Sequence, residues 1–408
     1  MLRTLLILSF LLYYLSGNGQ KSDDNANYAD LNQHRYTGDW YMMIGSDPQY
    51  PFPPTELKEA SDAAKKLHSL ASMKASVGTI NLLSRITKDR VKGLILNGDL
   101  TNNGSEENMN VYQKVYADLT VPLYPGLGNH DFNKADKNAL RSIKYLYEAV
   151  TDLGIKPYSP QHEAVFEKMI RRKFSDIRSR NPATSIDINK GPTTIKSNNN
   201  LGFKPSTKVI GSLAYSWEVG DIHFVQLNNY PYYSHRAAAS LDWDVQIVSS
   251  LAWLYGDLKQ ARQRGKQIIV NFHQMGDSDK CHFPLPLDGD LESGANLPKE
   301  ARQLANKLFA DLMNRFRVMA IFVGHQHSAF GITGQTITYH GKQAMNTPVF
   351  KCGAIFEHNL FLLEVFEAEY KVVVHRLKSE IVTKNGVLSN PKLISQIDIA
   401  VPITVKYQ

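Results

Sequence analysis

The chain has 408 residues, 43% of them hydrophobic and 10% aromatic, so it can bury a large core and disorder as its main state is excluded. Lysine and arginine outnumber aspartate and glutamate by 46 to 39, a net charge of +7 that is spread along the chain with no long block of like charges. This pattern excludes a basic nucleic-acid arm and implies at most a mild attraction for phosphate-bearing molecules.

Residues 1–20 carry Arg3, then an apolar run, then small and polar residues, the layout of a secretory signal. The run is shorter than the roughly 20 residues that a membrane span needs, and no second span follows. The expectation is an exported chain, secreted or periplasmic if bacterial, with no transmembrane segment after signal removal. No cysteine lies near this region to take a bacterial lipid anchor, and only Cys281 and Cys352 are present. Export would permit one bridge between them, but spacing alone does not set its geometry.

Residues 21–38 read as a polar leader, and the main domain is expected over 39–378, starting with the buried strand "WYMMIG". Residues 57–90 place Leu67, Leu70, Met73, Val77 and Ile80 at helical spacing, which predicts one or two helices. "VKGLILNGD" reads as a buried strand, residues 106–118 as a helix, and "VPLYPGLGNHD" as a third strand that ends in polar residues. Strand alternating with helix implies parallel pairing with crossover helices.

An insertion is expected at about 132–211, with Val165, Met169, Ile170, Phe174 and Ile177 on one helical face and a polar, turn-rich stretch after it. "AYSWEVGDIHFVQLNN" then predicts a hairpin around Gly220-Asp221, "VSSLAWLYGDLKQARQRG" an amphipathic helix, and "QIIVNFHQ" a buried strand that ends at His273. "ANKLFADLMNRFRV" predicts a helix and "MAIFVGHQH" a further strand-to-loop exit, while "NLFLLEVFE" and "YKVVVHRL" are β-rich. Residues 379–408 are set apart as a C-terminal extension.

The strand exits deliver Asp47, Gln49, Asp99, Asn129, His130, Asp131, His273, His325 and His327. In open α/β sheets ligands gather outside the carboxyl ends of strands, so one shared site is the economical reading. The set mixes oxygen and nitrogen donors without thiolates, which suits divalent or trivalent first-row metals rather than a structural zinc knot. A bridging carboxylate such as Asp99 can hold two cations close together, and His325 and His327, one residue apart, can reach two different ions from one loop.

The blocks "SDPQ", "NGD", "GNHD", "NFH" and "GHQH" resemble the five signature blocks of the calcineurin-like metallophosphoesterase superfamily. The resemblance implies an α/β fold, a two-layered mixed β-sandwich flanked by helices, with the helical and loop insertion set into it. It also implies two metal ions, with Mn, Fe and Zn as candidates. By the resemblance Asp47, Gln49 and His327 face the first metal and Asp99 bridges both. Asn129, His273 and His325 hold the second. A metal-bridged hydroxide would attack phosphorus, with His130 oriented by Asp131 and assisting the leaving oxygen. The implied function is an exported phosphatase or phosphodiesterase; the alternative is a non-catalytic binding or scaffold protein with a weakened first metal site.

Two departures stand out. The first block of the family is Asp, any residue, His, whereas this chain has Asp47, Pro48, Gln49. An amide oxygen is a poorer ligand than imidazole for zinc and better suited to harder ions, so the first metal is expected to be held more weakly or to be manganese; Gln49 contacting only a metal-bound water is the rival. Purple acid phosphatases carry a tyrosine three residues after the bridging acid. Asn102 stands here, so no tyrosinate-to-iron colour is expected. The substrate is expected to be a small or lipid-linked phosphate ester, without dedicated nucleic-acid binding, since no basic patch interleaved with aromatics appears. Residues 50–54 ("YPFPP") and 228–236 ("NNYPYYSHR") are candidate aromatic rims, with His235 and Arg236 as possible phosphate contacts. His68, His162 and His358 show no ligand spacing.

Overall fold

The computed structural model describes residues 36–52, 61–132, 136–154, 207–233, 249–275, 299–333, 345–379 and 391–400, together with the short strands lying between these stretches. The expected helical face at 165–177 and Cys281 lie outside the described residues. In chain order the elements begin with β1 (Trp40–Gly45), α1 (Asp62–Ile86), β2 (Val91–Leu96), α2 (Glu106–Tyr116), β3 (Leu123–Pro125), a 3-10 turn (Asn129–Phe132) and α3 (Asp136–Asp152). Next come β4 (Lys156–Pro157), β5 (Ser185–Ile186), β6 (Asn189–Pro192), β7 (Thr207–Gly211), β8 (Tyr215–Val219), β9 (Ile222–Gln226), β10 (His235–Ser240), β11 (Trp243–Ile247) and α4 (Leu251–Gln263). The described chain closes with β12 (Gln267–Phe272), α5 (Lys299–Arg315), β13 (Ala320–Val323), β14 (Phe330–Thr333), β15 (Thr338–Tyr339), β16 (Lys342–Gln343), β17 (Val349–Cys352), β18 (Asn359–Phe366), β19 (Lys371–Ser379) and β20 (Pro391–Ala400).

Two mixed sheets form the body. The first has six strands in the order β20-β19-β18-β1-β2-β3, and the second has eight in the order β14-β17-β13-β12-β9-β8-β5-β4. β1, β2 and β3 run parallel, as do β9, β12, β13 and β17, while antiparallel strands complete both sheets. The expected two-layered mixed arrangement is therefore present. Within the stretch set apart as a C-terminal extension, β20 adds an edge strand beside β19.

Aromatic side chains tie the layers together: Tyr124 of β3 stacks on Trp217 of β8 with ring centres 4.3 Å apart, and Phe361 of β18 meets Phe322 of β13 at 5.6 Å. β1 and β12 are buried along their whole length because one face meets the other sheet and the other face a covering layer. α1 begins at Ser61, whose side chain accepts from Ala64 N at 3.3 Å, and it buries Met73, Val77, Ile80 and Leu83. Ser72 and Ser76 on the same face donate to the carbonyls of Phe356 and Ile355, anchoring the helix to a loop beside the strand exits.

Several elements escaped the sequence reading, α3 and the β10–β11 pair among them. α3 lies inside the stretch taken as an insertion, and β10 and β11 form a hairpin that joins β6 and β7 in a separate four-stranded sheet. "HRAAAS" lacks the alternation that marks a half-buried strand.

Candidate metal centre

Parallel strands emerge at one edge, so the sequence places Asp47 and Gln49 after β1, Asp99 after β2, and Asn129 to Asp131 in the turn after β3. His273 follows β12 on the second sheet, and His325 and His327 follow β13. Backbone bonds sew these exits together. Asp47 N donates to Gly98 O at 3.1 Å, Gln49 N to Asp99 O at 2.9 Å, and Gly324 N to His273 O at 2.8 Å. His325 N donates to Asp47 Oδ2 at 3.0 Å, which joins the two sheets at the site.

Four of these residues hold left-handed backbone: Asp47 at φ 55°, Gln49 at 37°, Asp99 at 50° and His325 at 68°. Such conformations are uncommon for residues other than glycine and cluster where function requires a fixed side-chain aim. Glycine permits the close approach. A Cβ on Gly324 would collide with Ser46 and lie 2.7 Å from Asp47 Oδ2, and one on Gly128 would collide with Asp99 and lie 2.8 Å from the His273 ring.

The side chains converge. One atom each from Asp99, His273 and His325 lie within 4.8 Å of one another, and the same holds for Asp47, Asp99 and His327, so Asp99 belongs to both groups. Asn129 Oδ1 is 3.1 Å from His273 Nε2 and 3.1 Å from His325 Nδ1, while His273 Nε2 is 3.1 Å from Asp99 Oδ2. Ligand atoms about 2.1 Å from one ion lie roughly 3 Å apart at right angles, so these separations fit a shared cation. On the other side, His327 Nε2 stands 3.4 Å from Asp47 Oδ1.

Buried polar atoms normally find hydrogen-bond partners, yet Asp47 Oδ1, Asp99 Oδ2, and both Oε1 and Nε2 of Gln49 have none. All three residues are fully buried. Carboxylate oxygens of Asp47 and Asp99 among imidazoles, with the unpaired amide of Gln49 buried two residues from Asp47, are donors that a metal would satisfy. The residues present fit the metal pair.

Charge inside the cluster follows from burial and proximity. Burial alone would lower His273, but the charges of Asp99 and Asp47 more than offset it and push it up to about 9. Its Nδ1 contacts the Asn97 carbonyl at 2.7 Å, so the Asn97 and Asn129 contacts are both satisfied when the ring is protonated on both nitrogens. Asp99 is held down at about 2 against its own burial, by His273 and His130. His325 is pushed down to about 4 by burial and by the charge of His273.

The role expected for Asp131 needs correction. Its carboxylate accepts from Leu100 N (3.0 Å), Thr101 N (3.0 Å), Thr101 Oγ1 (3.2 Å) and Gly128 N (2.9 Å), so it staples the Asp99 loop to the Asn129 loop. Burial and the nearby Asp99 push Asp131 up to about 7. His130 is oriented instead by Asn102, whose carbonyl meets His130 Nδ1 at 2.9 Å, and His130 N donates to Asp99 Oδ1 at 2.8 Å. A carbonyl only accepts, so Nδ1 of His130 carries a proton and Nε2 is the nitrogen left free of the backbone.

The expected rims are mostly core. Tyr50, Tyr230, Tyr232 and Tyr233 are buried, and Phe132 packs on Tyr233 with ring centres 4.9 Å apart. Among the described residues of the first rim, Phe52 reaches the site, edge-on to His327 at 4.8 Å and beside Phe356 at 5.0 Å. His235 and Arg236 stand in β10. Sequence reasoning missed Asn97, which braces His273, and Gln274, whose Nε2 is 2.8 Å from His325 Nε2. Asn97 opens the block "NGD", but nothing in the block announces its carbonyl; Gln274 was marked only by adjacency to His273.

A family model for calcineurin-like phosphoesterase matches residues 73–329. The matched stretch, more than half of the chain, contains Asp99, Asn129, His130, Asp131, His273, His325 and His327 and leaves out Asp47 and Gln49. A comparison with curated proteins finds no match. Among the described residues no helix is long and apolar enough to cross a membrane. The ligand groups fit a metal-dependent phosphoesterase, and with the match over this length the chain belongs to the calcineurin-like phosphoesterase family.

Proposed function

We propose that this protein is an exported hydrolase of phosphate esters with a two-metal site, acting on small or lipid-linked substrates. The observation that carries the reading is the convergence of two overlapping ligand groups on Asp99, with orphaned buried oxygens aimed among imidazoles. Export rests on the signal-like layout of residues 1–20. Asp47, Gln49 and His327 would hold one ion, Asn129, His273 and His325 the other, and Asp99 both. When bound, such a pair acidifies water and neutralises charge on phosphate.

The chain's own residues supply the rest. Asp99 belongs to both ligand groups, and its Oδ1 also holds the His130 backbone. Asn102 holds the His130 ring through Nδ1, which leaves Nε2 to face the reacting groups. His130, partly open to solvent, would act as its imidazolium, passing the Nε2 proton to the departing oxygen while Nδ1–H stays on Asn102. Gln49, with both amide atoms unpaired, would offer its oxygen to the first ion, a donor that suits manganese better than zinc.

The test is hydrolysis of p-nitrophenyl phosphate and bis-p-nitrophenyl phosphate with added Mn, Zn, Fe, Mg or no metal. Metal-dependent turnover that disappears in Asn129→Ala supports the reading, and the preferred ester decides between monoesterase and diesterase. No turnover with any metal would favour a binding or scaffold protein that kept the fold, with Gln49 as the mark of a weakened site. Gln49→His should tighten the first ion; unchanged affinity would exclude Gln49 as a direct ligand.

A further inference from the structure

The far side of His325 carries an arrangement that the ligand set does not explain. Its Nδ1 faces Asn129 Oδ1 at 3.1 Å, whereas its Nε2 meets the side-chain nitrogen of Gln274 at 2.8 Å. Two nitrogens at that distance form a hydrogen bond only if one accepts. An amide nitrogen is always a donor, so His325 Nε2 accepts and the ring proton sits on Nδ1, donated to Asn129 Oδ1. This is the wrong tautomer for binding an ion through Nδ1, the nitrogen that faces Asn129.

We propose that Gln274 is the positioning residue of the second metal site, capping His325 Nε2 with either end of its amide and thereby setting which ring nitrogen is free to bind metal. Metal-ligating histidines ordinarily donate their other N–H to an acceptor that fixes the tautomer and ring plane. Gln274 offers that acceptor: a half-turn of its amide replaces Nε2 with Oε1 at the same place. The proton then resides on His325 Nε2, donated to Gln274 Oε1, and Nδ1 presents a lone pair. Gln274 is nearly buried, at 9% exposure, and its backbone N donates to Asn229 O at 2.8 Å, so its side chain starts from a fixed point. Glutamine suits both tautomers; glutamate suits only the ligating one, and methionine neither.

The proposal rests on the two-metal reading above, and the test separates the two. Zinc is titrated calorimetrically into metal-free wild-type protein, Gln274→Met and Gln274→Glu. The expected result is two sites in the wild type, one of them weakened about 10- to 100-fold in Gln274→Met, and wild-type or tighter binding restored in Gln274→Glu. As a measurement that needs no stable variant at position 274, nitrogen-15 histidine spectra of the wild type should show the His325 proton moving from Nδ1 to Nε2 on zinc loading. A Gln274→Met titration like the wild type, or a His325 proton that stays on Nδ1 in the loaded protein, would overturn the role of Gln274 and leave the two-metal reading intact. A wild type that takes up no zinc would overturn both.

Discussion

His273 and His223 are both buried imidazoles beside carboxylates, and both are pushed up to about 9, yet their surroundings differ in kind. His223 bridges Asp257 at 2.8 Å and Glu218 at 3.4 Å; Ser216 Oγ donates to the other Asp257 oxygen at 2.8 Å, and Arg264 donates to Glu218. No Glu218 or Asp257 oxygen is orphaned, and neither residue holds left-handed backbone. Around His273 the reverse holds: Asp99 Oδ2 and Asp47 Oδ1 lack hydrogen-bond partners, and both residues sit at positive φ. A shifted imidazole therefore does not mark a functional site by itself. Strain and unsatisfied donor atoms distinguish a cluster built for a ligand from one built for the fold.

Substitution at the two histidines should separate these roles. His273→Ala is expected to lower metal-dependent hydrolysis by at least about 10²-fold, as for loss of one preorganised electrostatic group, while urea unfolding shows a folded protein. His223→Leu should do the opposite, leaving turnover per folded molecule unchanged. Removing one partner of a buried charged pair costs about 3–5 kcal/mol, which would appear as a lower urea midpoint. Equal loss of activity in both variants would erase the distinction.

The pH dependence of stability sharpens the same contrast. Burial would lower His223, but Asp257 and Glu218 lift it from 6.5 to about 9, so folding raises its proton affinity. Its contribution is therefore fully present below pH 6.5 and lost as pH rises through about 9. In a His273→Ala background, where the other imidazole raised to about 9 is gone, the urea midpoint should fall between about pH 6 and pH 10. Adding His223→Leu should flatten that fall; a fall of equal size in both proteins would assign it elsewhere.

Smaller effects are expected at glycines. Gly324→Ala forces Ser46 and Asp47 apart, and overpacking of this kind costs about 1–3 kcal/mol. Metal affinity should fall with it. Gly78→Ala, in the exposed interior of α1 with nothing near the added Cβ, should instead stabilise by about 0.5–1 kcal/mol and leave metal binding untouched. Thermal unfolding with and without metal reads both.

Much of the site was legible because each parallel strand is an apolar run that stops at an acid, an amide or a histidine, and parallel strands must end at one edge. What stayed hidden depends on direction rather than identity. Asp131 follows His130 in sequence, but the 3-10 turn sends its carboxylate under Leu100 and Thr101, while a backbone carbonyl, which no sequence motif announces, orients His130. The tyrosines at 230, 232 and 233 looked like a rim because composition does not tell which way a ring points; they are buried in the hydrophobic core instead. Gln274 and Asn97 act on ligands from behind, through one hydrogen bond each, and such partners are found only when the ring they touch has been placed.

The most direct test of the metal centre is elemental analysis of the purified protein after equilibration with manganese or zinc and removal of free ion. Two ions per chain in the wild type, and no more than one in His273→Ala, are the predicted result. A wild type with no bound ion, or an unchanged count in His273→Ala, would contradict the assignment of Asp99, Asn129, His273 and His325 as a metal site.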